Sequence, residues 1–120
     1  MSEREPIRQF FGDAEYAFHL PPELVIELER KTAHGIGGLF RRFLASDFGF
    51  SDLTEVLRLG LVGGGMDPKE ASALVATYAA ILPVTRLYLT AMPVLDALMS
   101  GTVQPVAKRP RRRKTDAQAE

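Results

Sequence analysis

Apolar residues recur three and four positions apart through most of the chain after residue 22. This spacing places them on one face of an α-helix, and it predicts helices at about 22–33, 36–45, 52–63, 68–82 and 84–100. Pro83 separates the last two, because proline inside a helix kinks or breaks it. Ser51 is the predicted N-cap of the third helix. The predicted inner faces include Leu44 in the second helix and Ile81 in the fourth.

The N-terminal part of the chain has a different period. Tyr16, Phe18 and Leu20 alternate with polar or small residues, which predicts a strand with one face against a core. An apolar run at 7–11 precedes a turn near Gly12, so residues 6–20 are expected to form a β-hairpin. Because two strands alone are marginally stable in water, this hairpin must lie on helices or pair with another chain.

These elements together predict an α+β fold that is mainly α. We expect an N-terminal β-hairpin packed on a small bundle of four to five helices, in a single domain that covers residues 6–101. Residues 1–5 are expected to form a flexible N-terminus, and residues 102–120 a disordered basic tail.

Three consecutive glycines end the third helix and are followed at once by signals for a new one. Glycine lacks a Cβ and reaches the left-handed angles that stop a helix. Asp67 suits an N-cap, Pro68 suits the first helical position, and Glu70 is placed to close a capping box. A helix-to-helix turn is therefore predicted at Gly63, Gly64, Gly65, Asp67, Pro68 and Glu70.

A phosphate-binding loop is the alternative interpretation of these glycines. Nucleotide loops add Gly-Lys-Ser/Thr, or they follow a strand with spaced glycines, and neither feature is present. Asp67 would also place a negative charge where phosphate should bind. The sequence therefore favours the structural turn.

The end of the third helix and the whole of the last one carry more apolar residues than a single inner stripe needs. Methionine-rich surfaces are common in adaptable binding sites, although methionine also fills gaps in cores, and both interpretations stay open. The predicted partner surface consists of Leu59, Val62, Leu87, Tyr88, Met92 and Met99.

The formal net charge of zero conceals a division of charge along the chain. Residues 108–120 contain six basic and two acidic side chains, which leaves nine basic and thirteen acidic ones in the rest. Such a basic run binds polyanions electrostatically, and it also occurs simply as a solubilising tail. The candidate polyanion-binding residues are Lys108, Arg109, Arg111, Arg112, Arg113 and Lys114.

Few residues are available for catalysis. The chain has no cysteine and two histidines, His19 and His34, which lie far apart in sequence. No nucleophile elbow, HExxH motif, Walker motif or dinucleotide fingerprint occurs. We therefore expect no enzyme activity, no cofactor and no metal. The longest apolar region is interrupted by Arg86 and two prolines, so a soluble cytoplasmic protein is expected.

Several segments resemble the gene transfer agent family of phage-tail proteins. The most specific is Arg58-Leu59-Gly60-Leu61-Val62-Gly63-Gly64-Gly65, and the hairpin segment Gly12-Asp13-Ala14-Glu15-Tyr16-Ala17-Phe18-His19-Leu20 lies at the expected distance upstream. Weaker matches are Glu27-Leu28-Glu29, Gly35-Ile36, Ala71, Tyr78 and Pro83. The resemblance runs from about Ile7 to Gly101, and the basic tail is not part of the family pattern.

The resemblance implies a non-enzymatic role in building a phage-like tail. These proteins are related to tail assembly chaperones and are sometimes labelled tail tube proteins, so the expected partners are the tape-measure protein, the tube protein or both. A homo-oligomer is a further option. The alternatives are a structural component of the finished particle and a nucleic-acid-binding protein that acts through the basic tail.

Overall fold

A computed structural model describes residues 5–101 of the chain. Its elements are β1 (Ile7–Phe11), β2 (Ala14–Phe18), α1 (Pro22–Thr32), α2 (Ile36–Leu44), α3 (Phe50–Gly63), α4 (Pro68–Ala79) and α5 (Val84–Ser100). β1 and β2 form an antiparallel two-stranded sheet, with Ile7 opposite Phe18 and Phe11 opposite Ala14. The predicted α+β fold, a hairpin on a helical bundle, is therefore confirmed.

Helix α3 lies at the centre of the fold. It packs against α1, α4, α5 and β2, so its apolar side chains are covered on most sides. A helix that is apolar over most of its circumference is stable only when it is surrounded in this way. Its buried apolar side chains are Leu53, Val56, Leu57, Leu59 and Leu61.

The hairpin lies on the helices with one face. Phe11 makes edge-on ring contacts with Phe18 and with Tyr78 of α4, at centroid distances of 6.5 and 5.9 Å. The side-chain amide of Gln9 donates to the carbonyl oxygen of Thr90 in α5 at 2.8 Å. These contacts supply the support that a two-stranded sheet needs in water.

The start of α3 differs from the prediction. The helix begins at Phe50 with Gly49 as the N-cap, and the Gly49 N–H donates to Asp52 Oδ2 at 2.8 Å. Asp52 is 6% exposed, and the Arg42 guanidinium lies 3.7 Å from its carboxylate. The prediction of Ser51 as N-cap is wrong, because the helix starts two residues earlier than predicted and a carboxylate inside its first turn binds the cap residue.

Helix α4 ends at Ala79, before its predicted end. The N–H groups of Ile81 and Leu82 both bond to the Tyr78 carbonyl oxygen, at 3.2 and 2.8 Å, in a tight final turn. A residue that precedes proline is disfavoured in helical geometry, and Pro83 is the N-cap of α5. Ile81 is therefore outside the helix and 70% exposed, so its predicted inner position is wrong.

An aromatic cluster joins α2 to α5. The fully buried Phe43 ring lies against Phe48 and Tyr88, and Tyr88 stacks on Phe48 with centroids 4.8 Å apart. Because Phe43 occupies the position against α5, the next residue along the helix points to a different side. Leu44 is 61% exposed, which corrects its predicted inner position.

Candidate functional site

The end of the hairpin lies directly on a glycine-lined surface of α3. The His19 N–H donates to the Gly60 carbonyl oxygen at 2.9 Å. A Cβ on Gly63 would overlap the carbonyl oxygen of His19, and one on Gly64 would overlap that of Ala17. We call Gly60, Gly63 and Gly64 the glycine seat. Glycine is required at Gly63 and Gly64 because two stretches of backbone approach each other too closely for a side chain, whereas a Cβ on Gly60 would lie against the side chains of Phe18 and Val94.

The turn itself depends on a different glycine. Of the three consecutive glycines, only Gly65 has a left-handed φ, of 114°. The N–H groups of Gly64 and Gly65 donate to the carbonyl oxygens of Gly60 and Val62, at 2.9 and 3.0 Å. A phosphate cradle needs amides that point at the anion. These amides are engaged inside the turn, and a helix rather than a strand precedes them.

Asp67 begins the next helix. Its side chain accepts from the N–H groups of Lys69 and Glu70 at 3.0 and 3.3 Å, and Pro68 is the first helical residue. Glu70 contributes its backbone amide to this cap, and its side chain is exposed. The six residues of the predicted turn therefore lie at the junction of the two helices: Gly63 ends α3, Gly64, Gly65 and Asp67 lie between the helices, and Pro68 and Glu70 belong to the first turn of α4.

The structure places two residues of the predicted partner surface inside the core. Leu59 is 3% exposed and Leu87 is 0% exposed. The physical reason is that α3 and α5 pack against each other and against further elements. Apolar residues outside a single inner stripe of each helix are therefore also buried. These two residues cannot contact a partner in the folded chain, which corrects the prediction at these positions.

The other four residues of that predicted surface are not equally accessible. Val62 and Met92 are half-buried and pack against the core. Tyr88 is also half-buried, and its hydroxyl donates to the Phe43 carbonyl oxygen at 2.7 Å. Met99 is exposed, at 43%. The six residues therefore do not form one continuous exposed face.

An open groove of about 370 Å³ runs between α3 and α4. Its lining is Phe50, Thr54, Glu55, Arg58, Ser72, Val75, Ala76, Ala79 and Ala80, and we call it the α3–α4 groove. Small side chains on α4 form much of the lining and leave room for side chains of another polypeptide. Helix α4 packs mainly against α3, so much of its remaining surface faces solvent.

The walls of the α3–α4 groove favour an apolar occupant. Its two charged residues neutralise each other, because Arg58 Nη2 donates to Glu55 Oε1 at 2.6 Å. Phe50 is 52% exposed at the end of the groove that Ala80 also lines, and Ile81 follows in the chain at 70%. Sequence reasoning missed this groove. The available signal was a set of alanines outside the inner stripe of α4, which are too small to stand out as an apolar face.

Other chemistry is sparse in the part of the chain that the structure describes. Among residues 5–101, no group of three or more histidine, cysteine or acidic residues is placed to hold a metal ion. Within the same range, no helix has the length and apolar character needed to span a bilayer. The predicted polyanion-binding residues 108–114 lie outside the described residues, and their role stays a prediction.

Comparison with known families gives a match over most of the chain. A family model described as "Phage tail tube protein, GTA-gp10" matches residues 4–101, which include both the hairpin and the glycine seat. Neither the comparison with curated proteins nor that with solved structures gave a match. The chain therefore belongs to the GTA-gp10 family of phage tail tube proteins and is a phage-like tail component.

Proposed function

We propose that this tail component acts as an assembly chaperone, which holds the tape-measure protein while tube subunits are added around it. The observation that carries the proposal is the α3–α4 groove, which is open, apolar and lined by small side chains. Exposed apolar patches of this kind mark sites of contact with other proteins. A groove between two helices accepts the apolar face of an amphipathic helix.

The charges of the chain favour a basic partner helix. Outside residues 108–120 the chain has nine basic and thirteen acidic side chains. This net negative charge attracts a partner helix that carries basic residues beside its apolar stripe. Attraction of this kind speeds association and selects partners more than it adds affinity.

A charge placed in the groove tests this proposal. In Ala76→Glu, a carboxylate enters the apolar lining, and burying it against a partner is unfavourable. The matched control is Ala73→Glu, which makes the same change at an exposed position of α4 outside the groove lining. We expect Ala76→Glu to weaken binding of the co-expressed tape-measure protein at least tenfold, a cost of about 1.4 kcal/mol or more.

The control should bind like the unmodified chain, and circular dichroism should show that both variants are folded. Binding that Ala76→Glu leaves unchanged would exclude the groove as the contact surface. Failure of the unmodified chain to bind the tape-measure protein would remove the chaperone proposal itself.

A structural role in the finished particle is the second candidate, and the description of the family as tail tube proteins favours it. The two roles differ in stoichiometry. A structural component is present in purified particles in a fixed ratio to the tube protein, whereas a chaperone is released before the tail is complete. Quantitative mass spectrometry of purified particles therefore distinguishes them, and absence of the chain supports the chaperone role.

A further inference from the structure

Strand β2 uses both of its backbone edges inside the chain. On one side, the His19 N–H bonds to α3 and the Ala17 carbonyl oxygen lies against Gly64. On the other side β2 pairs with β1, where Tyr16 is opposite Gln9. Backbone groups of successive strand residues point to alternate sides. It follows that Gln9 exchanges its hydrogen bonds with Tyr16, inside the hairpin.

Strand β1 uses only one of its edges. Because the backbone N–H and C=O groups of Gln9 point to β2, those of its neighbours Arg8 and Phe10 point to the other side. Among residues 5–101, these outward backbone groups have no hydrogen-bond partner on another element. The Arg8 side chain is 60% exposed and Phe10 is 67% exposed. An edge of this kind can be extended by an additional strand.

We propose that the outer edge of β1 binds β1 of a second copy of this chain. The two strands run antiparallel around a two-fold axis at Gln9, and the sheet becomes four-stranded in the order β2–β1–β1–β2. Arg8 of each copy then lies opposite Phe10 of the other, and the two residues exchange both of their backbone hydrogen bonds. Each hairpin then forms one half of the larger sheet.

Three registers place the outward backbone groups of the two β1 strands opposite each other, with the two-fold axis at Arg8, Gln9 or Phe10. The side chains favour the register centred on Gln9. Centring the pair on Arg8 would set two guanidinium groups against each other, which is unfavourable. Centring it on Phe10 would move Arg8 opposite Gly12 of the turn and shorten the ladder. Centring it on Gln9 places each Arg8 beside the Phe10 ring of the other copy. Arg8 Nε already pairs with Glu15 Oε1 of its own hairpin at 3.2 Å, and the flat face of the guanidinium stays available for a cation–π contact, which the symmetry forms twice. Self-complementarity of this kind points to a second copy as the occupant.

The expected dimer is reversible. One strand pair of this length buries less than the roughly 1,000 Å² that a stable interface needs. Sedimentation equilibrium of the full chain should therefore give an average mass that rises from 13.2 kDa towards twice that value as concentration increases. A mass that stays monomeric up to millimolar concentration would overturn the proposal.

Two substitutions of Phe10 distinguish the effect of the charge placed opposite Arg8 from the effect of losing the apolar ring. Both Phe10→Glu and Phe10→Lys remove the ring. Phe10→Glu sets a carboxylate opposite Arg8 of the second copy and should keep the dimer, whereas Phe10→Lys sets like charges opposite each other and should weaken association at least tenfold. Residue 10 also lies opposite Glu15 of its own hairpin, which favours lysine there, so weaker association of Phe10→Lys does not arise from a less stable hairpin. Equal loss of the dimer in both variants would overturn the register.

Disulfide formation measures the same register directly, because the chain has no cysteine of its own. Hydrogen-bonded antiparallel partners have Cα atoms about 5.5 Å apart, within disulfide reach. Arg8→Cys and Phe10→Cys chains, mixed in equal amounts and oxidised, should give mostly the mixed disulfide, well above the half expected from random pairing. A statistical mixture, or a preference for like pairs, would overturn the proposal.

Discussion

At the scale of single residues, backbone proximity decides what the glycine seat can contain. Gly64 has an ordinary right-handed conformation, with φ of −81°, so its backbone angles alone do not demand glycine. Glycine is required at position 64 because the carbonyl group of Ala17 occupies the place where a Cβ would be. Backbone is harder to displace than the far end of a side chain, so the hairpin must shift if a methyl group is added.

Gly64→Ala should therefore destabilise the fold by about 1–3 kcal/mol, the cost typical of overpacking. The matched control is Gly37→Ala in α2, where a new Cβ meets nothing within 4 Å. Alanine is the better helix former, and this control should gain about 0.5–1 kcal/mol. Urea unfolding followed by circular dichroism measures both changes. Equal stability of the two variants would show that the hairpin does not lie on α3 as described.

The hairpin turn contains a pH-sensitive contact. The Tyr16 hydroxyl donates to Asp13 Oδ1 at 2.6 Å, and this hydrogen bond raises the pKa of Tyr16 above its ordinary value of 10.0. The contact stabilises the hairpin below that ordinary pKa and is lost as pH rises through the raised one. In Asp13→Ala the pKa of Tyr16 should fall towards 10.0, as measured by NMR titration of the ring. An unchanged pKa would refute this assignment.

At the scale of elements, the order of helices and strands followed from hydrophobic period, whereas several ends did not. The spacing of apolar residues depends on which face of an element is buried, and the predicted inner residues near the centre of each helix are the ones that face the core. Ends depend on local competition, as at Ile81, where the proline two residues later ended α4 early. At the start of α3, Gly49 is the cap in place of Ser51, because the Asp52 carboxylate accepts a hydrogen bond from the Gly49 N–H, and this carboxylate also lies near Arg42.

Asp52→Ala should therefore destabilise the fold by about 1 kcal/mol, because the Gly49 N–H loses its acceptor at the start of α3. Ser51→Ala, at the exposed neighbouring residue, should change stability by less than about 0.5 kcal/mol. Thermal unfolding of the two variants side by side tests this difference. A larger loss of stability in Ser51→Ala than in Asp52→Ala would indicate that Ser51 is the N-cap of α3.

The candidate sites were less predictable than the fold. The turn residues around Asp67 were accessible from sequence because capping is local. The contact of Gly63 and Gly64 with the hairpin was not, since it joins segments more than forty residues apart. The burial of the residues in the predicted partner surface was also not predictable from sequence. Whether Leu87 is buried depends on how many neighbours surround α5, which period alone does not reveal.

At the scale of the whole molecule, the two proposed contact surfaces belong to different elements. The α3–α4 groove lies between two helices, and the outer edge of β1 belongs to the hairpin. A dimer formed through β1 therefore uses no residue that lines the groove. The chain would then present one groove per copy, and a dimer would hold two segments of tape-measure protein.

Hydrogen–deuterium exchange of the full chain, with and without the tape-measure protein, shows whether the α3–α4 groove is the contact surface. Binding in the α3–α4 groove should slow exchange in residues 50–58 and 72–80, the segments that line it. Exchange in α1, which does not line the groove, should stay the same. Protection confined to other segments, with unchanged exchange in residues 50–58 and 72–80, would exclude the groove as the contact surface.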